Sequence, residues 1–159
     1  MSFRKIITGS ISNLIAAFMI AFTAFVSAGV DTETDQNGII LAGHDVVAYF
    51  TEGKPVEGSA DFTATYNDAI YRFSSANNRD IFIANPAKYA PQYGGFCAYG
   101  MTFGKKFEID GKAFEIVDGK LYVNKNLNVY KAWKKDVPTH ISQANEQWPT
   151  VENIAADKL

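Results

Sequence analysis

Phe114-Glu115-Ile116-Val117-Asp118-Gly119-Lys120-Leu121-Tyr122-Val123 decides the fold class. Two apolar runs flank Asp118-Gly119-Lys120, the strongest hairpin signal in the chain. A second hairpin is expected upstream, where Phe62, Ala64 and Tyr66 alternate with polar residues and Tyr71 and Phe73 resume beyond Asn67-Asp68. Ser74 or Ser75 then caps a helix to about Ala84 that buries Ile81 and Phe82, and Asn85-Pro86 opens a short helical turn. Pro91 ends that turn, Tyr93-Gly94-Gly95 redirects the chain, and Phe96 to Met101 reads as a short helix. Lys106 to Ile109 is expected to be a strand. From Asn128 the spacing of Val129, Trp133, Val137, Ile141, Ala144 and Trp148 is helical, and Pro138 kinks it or starts a new helix. Upstream, Asp45 caps a short helix after Gly43-His44. The class is α+β: a small antiparallel sheet built from hairpins, with several short helices and a C-terminal helical segment packed on it. No internal repeat or low-complexity tract is evident.

The N-terminus reads as an export signal. Arg4 and Lys5 precede an apolar stretch from Leu14 to Phe25, and Val26-Ser27-Ala28 places the cut before Gly29. Ser10, Ser12 and Asn13 break the run that a membrane anchor of roughly 20 residues would need. Residues 1–28 are thus a signal peptide, 29–42 a flexible lead-in, 43–150 the folded domain and 151–159 a tail. Removing Arg4 and Lys5 takes the formal charge from −2 to −4. So mild an acidity gives no footprint for nucleic acid or an anionic membrane surface. After cleavage no membrane association is expected, and the compartment is the periplasm. Twelve Phe and eight Tyr point to a core built from rings.

From Gly43 to Trp148 the chain resembles the YHS domain family in its secreted bacterial branch. The blocks that carry the resemblance are Gly43-His44-Asp45-Val46-Val47-Ala48-Tyr49-Phe50, Tyr71-Arg72-Phe73-Ser74-Ser75, Asn85-Pro86-Ala87-Lys88-Tyr89 and Tyr93-Gly94-Gly95-Phe96-Cys97-Ala98-Tyr99-Gly100. Val117 to Asn124 and Trp148-Pro149 add to them. The resemblance implies a link to heavy-metal handling. Metal-binding forms carry cysteines at two positions that are Ser74 and Asn78 here, and neither is a soft-metal ligand. Any metal would need another site.

The single cysteine, Cys97, cannot form an internal disulfide. Met101 follows it by one helical turn, so their sulfurs can share a face. His44 is the third soft or borderline donor, with Asp45 placed to orient its ring. Cys97, Met101 and His44 form a candidate Cu(I) site, since Cu(I) accepts low coordination and soft sulfur. A structural zinc site lacks the ligand count, and a blue-copper loop would need a histidine between Cys97 and Met101. The expected function is therefore a ligand-binding domain for a soft metal such as copper, or for a small ligand. Two rivals stand beside it. Cys97 can be a nucleophile with His44 as base, its thiolate favoured near a helix start. It can equally be an inert buried thiol in a structural or partner-binding domain. His140 reads as solvent-facing, Lys131, Lys134 and Lys135 as a solvated helical face, and Lys105-Lys106 as a turn.

Overall fold

The computed structural model describes residues 31–159. The leader and its expected cut before Gly29 lie outside the described residues. Among the described residues no helix is long and apolar enough to cross a membrane.

Both hairpins form. β1 (Ser59–Tyr66) pairs antiparallel with β2 (Ala69–Phe73), and β3 (Asp110–Val117) with β4 (Lys120–Asn124). Their turns are Asn67-Asp68, at φ 47° and 57°, and Asp118-Gly119, at 49° and 72°. Two successive left-handed residues are what a tight turn needs to match the twist of its strands. The α+β class holds, with the strands divided between two separate two-stranded ladders. A lone hairpin is marginal in water, so each is closed by helices.

Those helices reveal a repeat that the residue pattern does not announce. In the first unit a left-handed turn, Leu41–Gly43, leads to α1 (Val46–Thr51), capped by Asp45. The hairpin follows, then α2 (Ala76–Ala84), capped by Ser75, and α3 (Pro86–Tyr89). In the second unit the turn is Tyr93-Gly94-Gly95, and Cys97 caps α4 (Ala98–Met101). After the hairpin come α5 (Leu127–Trp133), capped by Asn126, and α6 (Val137–Val151), capped by Asp136, with Pro138 in its first turn. From the hairpin onward the step is 51 residues: Ser59 to Asp110, Ala69 to Lys120, Ala76 to Leu127 and Pro86 to Val137. Even the register break recurs, between Ser59 and Thr63 in β1 and between Asp110 and Phe114 in β3. Tyr71 and Tyr122 are equivalent, and each leans on the aromatic ring of the following helix. Tyr71 lies 4.5 Å from Phe82 and Tyr122 5.7 Å from Trp133, both at 33°.

Two apolar clusters hold the units. The first gathers Leu41, Val46, Tyr49, Tyr71, Phe73 and Phe82, and the second gathers Tyr93, Met101, Tyr122, Trp133 and Ala144. β4 is the wall between them. Leu121 and Val123 face the first cluster while Tyr122 faces the second, as strand alternation dictates. Each large side chain so buried contributes about 1.5–3 kcal/mol, which the short helices could not supply from propensity.

Four local expectations change. The lead-in is docked: Thr32 is buried, the Glu33 N–H donates to Gly94 O at 2.8 Å, and Ile39 bridges to Ile70. Lys106 to Ile109 forms no strand: Lys106 turns inward, its Nζ donating to Glu152 O and Ile154 O, both at 2.8 Å, and Phe107 O accepts the Cys97 N–H at 3.2 Å. Those bonds also tie down the tail, whose Val151 is buried. His140 is half-buried, with Nδ1 2.7 Å from Trp133 O and its ring edge-on to Tyr99.

Candidate functional site

Cys97 ends the left-handed turn of the second unit and caps α4. Its Sγ accepts the N–H of Gly100 at 3.4 Å and that of Lys125, the residue after β4, at 3.3 Å. The thiol donates to Asn124 Oδ1 at 3.7 Å, and the same oxygen accepts the Tyr99 N–H at 3.1 Å. Cys97 is 1% exposed. Burial pushes its thiol up, and the N–H groups of Gly100 and Lys125 pull the other way without prevailing. The neutral thiol, donating once and accepting twice, fits its surroundings.

A pocket of about 230 Å³ opens over that sulfur. Its walls are the rings of Tyr99, Phe103 and Phe107, the side chain of Val129 and Lys125. Phe103 and Phe107 are 65% and 41% exposed, large rings left at the surface beside the opening. The Lys125 ammonium lies 5.0 Å from the Phe107 ring centre, a cation–π contact at the rim. Gly100 is required here, since a Cβ would come within 2.5 Å of the Phe107 ring.

The proposed ligand set does not converge. Met101 is fully buried in the second cluster and takes no part in the pocket wall. The one-turn spacing brings it near Cys97 in sequence, but the face it occupies is the core face of α4. His44 belongs to the first unit: Nδ1 lies 2.9 Å from Leu41 O, and its ring sits against Tyr49 and Gly111. Among the described residues, His44 and Cys97 share no hydrogen-bond partner. Among the described residues no group of three or more His, Cys, Asp or Glu is placed to hold a metal ion.

Asp45 does not orient His44 either, because its carboxylate is fully engaged elsewhere. Oδ1 accepts Val47 N–H at 2.9 Å and Ala48 N–H at 3.3 Å. Oδ2 accepts Ser74 N–H at 2.8 Å, Ser74 Oγ–H at 2.7 Å and Asn78 Nδ2–H at 2.8 Å. Ser74 and Asn78, the positions at which the family resemblance places metal-binding cysteines, are thus both bonded to one buried carboxylate. In the repeat, Asp45 and Cys97 are counterparts. Each takes the N–H of its helix's third residue and the N–H that follows the second strand. Ser74 corresponds to Lys125, and Asn78 to Val129. Where the first unit places an amide that reaches the cap, the second places an apolar side chain and leaves a pocket.

Sequence reasoning singled out Cys97 as a metal ligand, and the structure sets it beside a cavity; Asn124, Phe107, Lys125 and Val129 were missed. The 51-residue step from Asp45's partners would have found the last two. Comparison with protein family models, with curated proteins and with solved structures returns no match.

Proposed function

We propose that the chain is an exported, YHS-like ligand-binding domain whose ligand seats over Cys97. The observation that carries this reading is the pocket: three aromatic rings, Val129 and the thiol enclose a space suited to a compact apolar molecule with soft, polarisable character. The ordered sequence blocks support the family, and the leader supports export. Cysteine-dependent catalysis has less support, since His44 stands with Leu41 and Tyr49 rather than at the sulfur, and burial favours the protonated thiol.

Soft-metal binding is the second reading, favoured because Cys97 is the only soft donor in the pocket wall. Two backbone N–H groups already point at Sγ and would stabilise a thiolate once formed. Copper(I) would then take its second donor from outside this residue set. Titration separates the readings. Indole, the apolar probe, should bind saturably, shift the amide signals of Gly100, Lys125 and Val129, and slow alkylation of Cys97 by iodoacetamide. A protein indifferent to indole but stoichiometric for Cu(I) against a chromogenic competitor, with loss in Cys97→Ser and retention in Met101→Leu, establishes the metal reading instead. Indifference to both removes Cys97 as a ligand site.

A further inference from the structure

We infer that a second pocket, separate from the one over Cys97, binds a neutral polyhydroxylated ring the size of a single sugar. It lies where the lead-in, the β1–β2 turn, the left-handed turn of the second unit and the end of α6 meet, and its volume is about 210 Å³. That is smaller than the roughly 300–1,000 Å³ of sites for drug-sized ligands, so one ring fills it. Its lining differs in kind from the first pocket. Asp31, Asn67, Gln92 and Glu152 supply planar carboxylate and amide groups, and Trp148 and Tyr71 supply rings.

Tyr71 is the most telling of these. It is 2% exposed and lines the pocket, and its hydroxyl is not among the buried unpartnered atoms of the described residues, so what little of it is open meets the pocket's own space. A hydroxyl opening into a concave wall is satisfied by water, and a ligand hydroxyl entering the pocket takes that water's place. Paired oxygens and nitrogens of carboxylates and amides match vicinal hydroxyls, which both donate and accept. An aromatic wall suits the C–H face of a saturated ring.

Charge decides between a polyol and an amine. The Lys106 ammonium lies 5.4 Å from the Trp148 ring centre and donates to Glu152 O. The Asp31 and Glu152 carboxylates both attract it. The place that a cationic ligand would take beside Trp148 is therefore held by the protein's own cation, and like charges at short range repel. An uncharged ligand meets no such opposition.

The experiment is an NMR titration of the full chain with D-glucose, D-galactose and D-mannose, and with putrescine as the cationic probe. At least one sugar should give saturable shifts confined to Asn67, Tyr71, Gly94 and the Trp148 indole. Tyr71→Phe and Gln92→Ala, each with an unchanged melting temperature, should weaken it about threefold or more, the size expected for one neutral hydrogen bond. If one variant fails to fold, the other carries the test. The inference is overturned if no sugar saturates, if putrescine alone binds, if the shifts fall around Cys97, or if a folded variant binds as the wild type does.

Discussion

The caps at the head of α1 and α4 occupy the same place in two copies of one unit, yet they solve it with opposite chemistry. Asp45 gathers five donors onto two oxygens. Cys97 accepts two backbone N–H groups through a weak sulfur acceptor and borders a cavity. A charged, saturated cap fixes a fold, whereas a soft cap beside a missing side chain is free to meet a ligand. The difference teaches that function in this molecule is to be sought where the repeat departs from itself.

The comparison is broken most severely at Asp45. Asp45→Ala leaves five donors without their acceptor, those of Val47 and Ala48 buried, that of Asn78 half-buried and the two of Ser74 exposed, and should cost about 3–5 kcal/mol in a urea unfolding series. A loss below that of Cys97→Ala would end the idea that the two caps carry unequal loads. Next in size is Gly94→Ala. Gly94 has φ 60°, and a Cβ there would meet Asp31 O at 1.8 Å, so the lead-in must undock. About 2–4 kcal/mol is expected, with faster amide exchange at Glu33. Its counterpart, Ala42, already carries a Cβ at φ 51° and is exposed.

Cys97→Ala should cost roughly 1–2 kcal/mol, since a capping acceptor and a small buried side chain are lost together. Adding Val129→Asn to Cys97→Asp sharpens the comparison from the other side: it transplants the first unit's amide-to-carboxylate bond. The double variant should abolish indole binding and unfold at higher urea than Cys97→Asp alone.

The smallest effect concerns pH. Burial, with the Glu108 and Asp35 carboxylates nearby, pushes Glu33 up to about 7, while backbone N–H donation from Ile39 holds Asp35 low. For a raised carboxyl the favourable contribution is complete below the unfolded value of 4.5 and is lost as pH rises through about 7. Glu33→Gln should therefore match the wild type near the lower value and exceed it above the upper one by about 1 kcal/mol, after discounting for partial exposure. A constant difference across that range would mean that Glu33 does not titrate with docking of the lead-in.

Much of this architecture was legible because its signals are local. Asp118-Gly119, Asn67-Asp68, Ser75, Asp45 and Pro138 each act within a few residues, and each sits where its chemistry required. The site was less legible because its contacts are long. Lys125 reaches Cys97 across 28 residues, and Ser74 and Asn78 reach Asp45 across 29 and 33. No periodicity encodes such pairs. The repeat could have stood in for them, but the counterparts Phe82 and Trp133, and Asp45 and Cys97, preserve roles rather than identities. Met101 and His44 illustrate the opposite error: residue type alone grouped them with Cys97, whereas Met101 is buried in the second cluster and His44 stands with Leu41 and Tyr49.

The strand β4 has one more consequence, for dissection of the molecule. With Leu121 and Val123 on one side and Tyr122 on the other, it belongs to the interiors of both units at once, and the Tyr49 hydroxyl donates to Gly111 O at 2.8 Å across the same boundary. A fragment ending after α3 would carry a complete copy of the repeat and still lack one wall of its own interior. The repeating unit in sequence is therefore half the size of the smallest piece that can fold, and a protease nick between the copies should leave two chains that copurify.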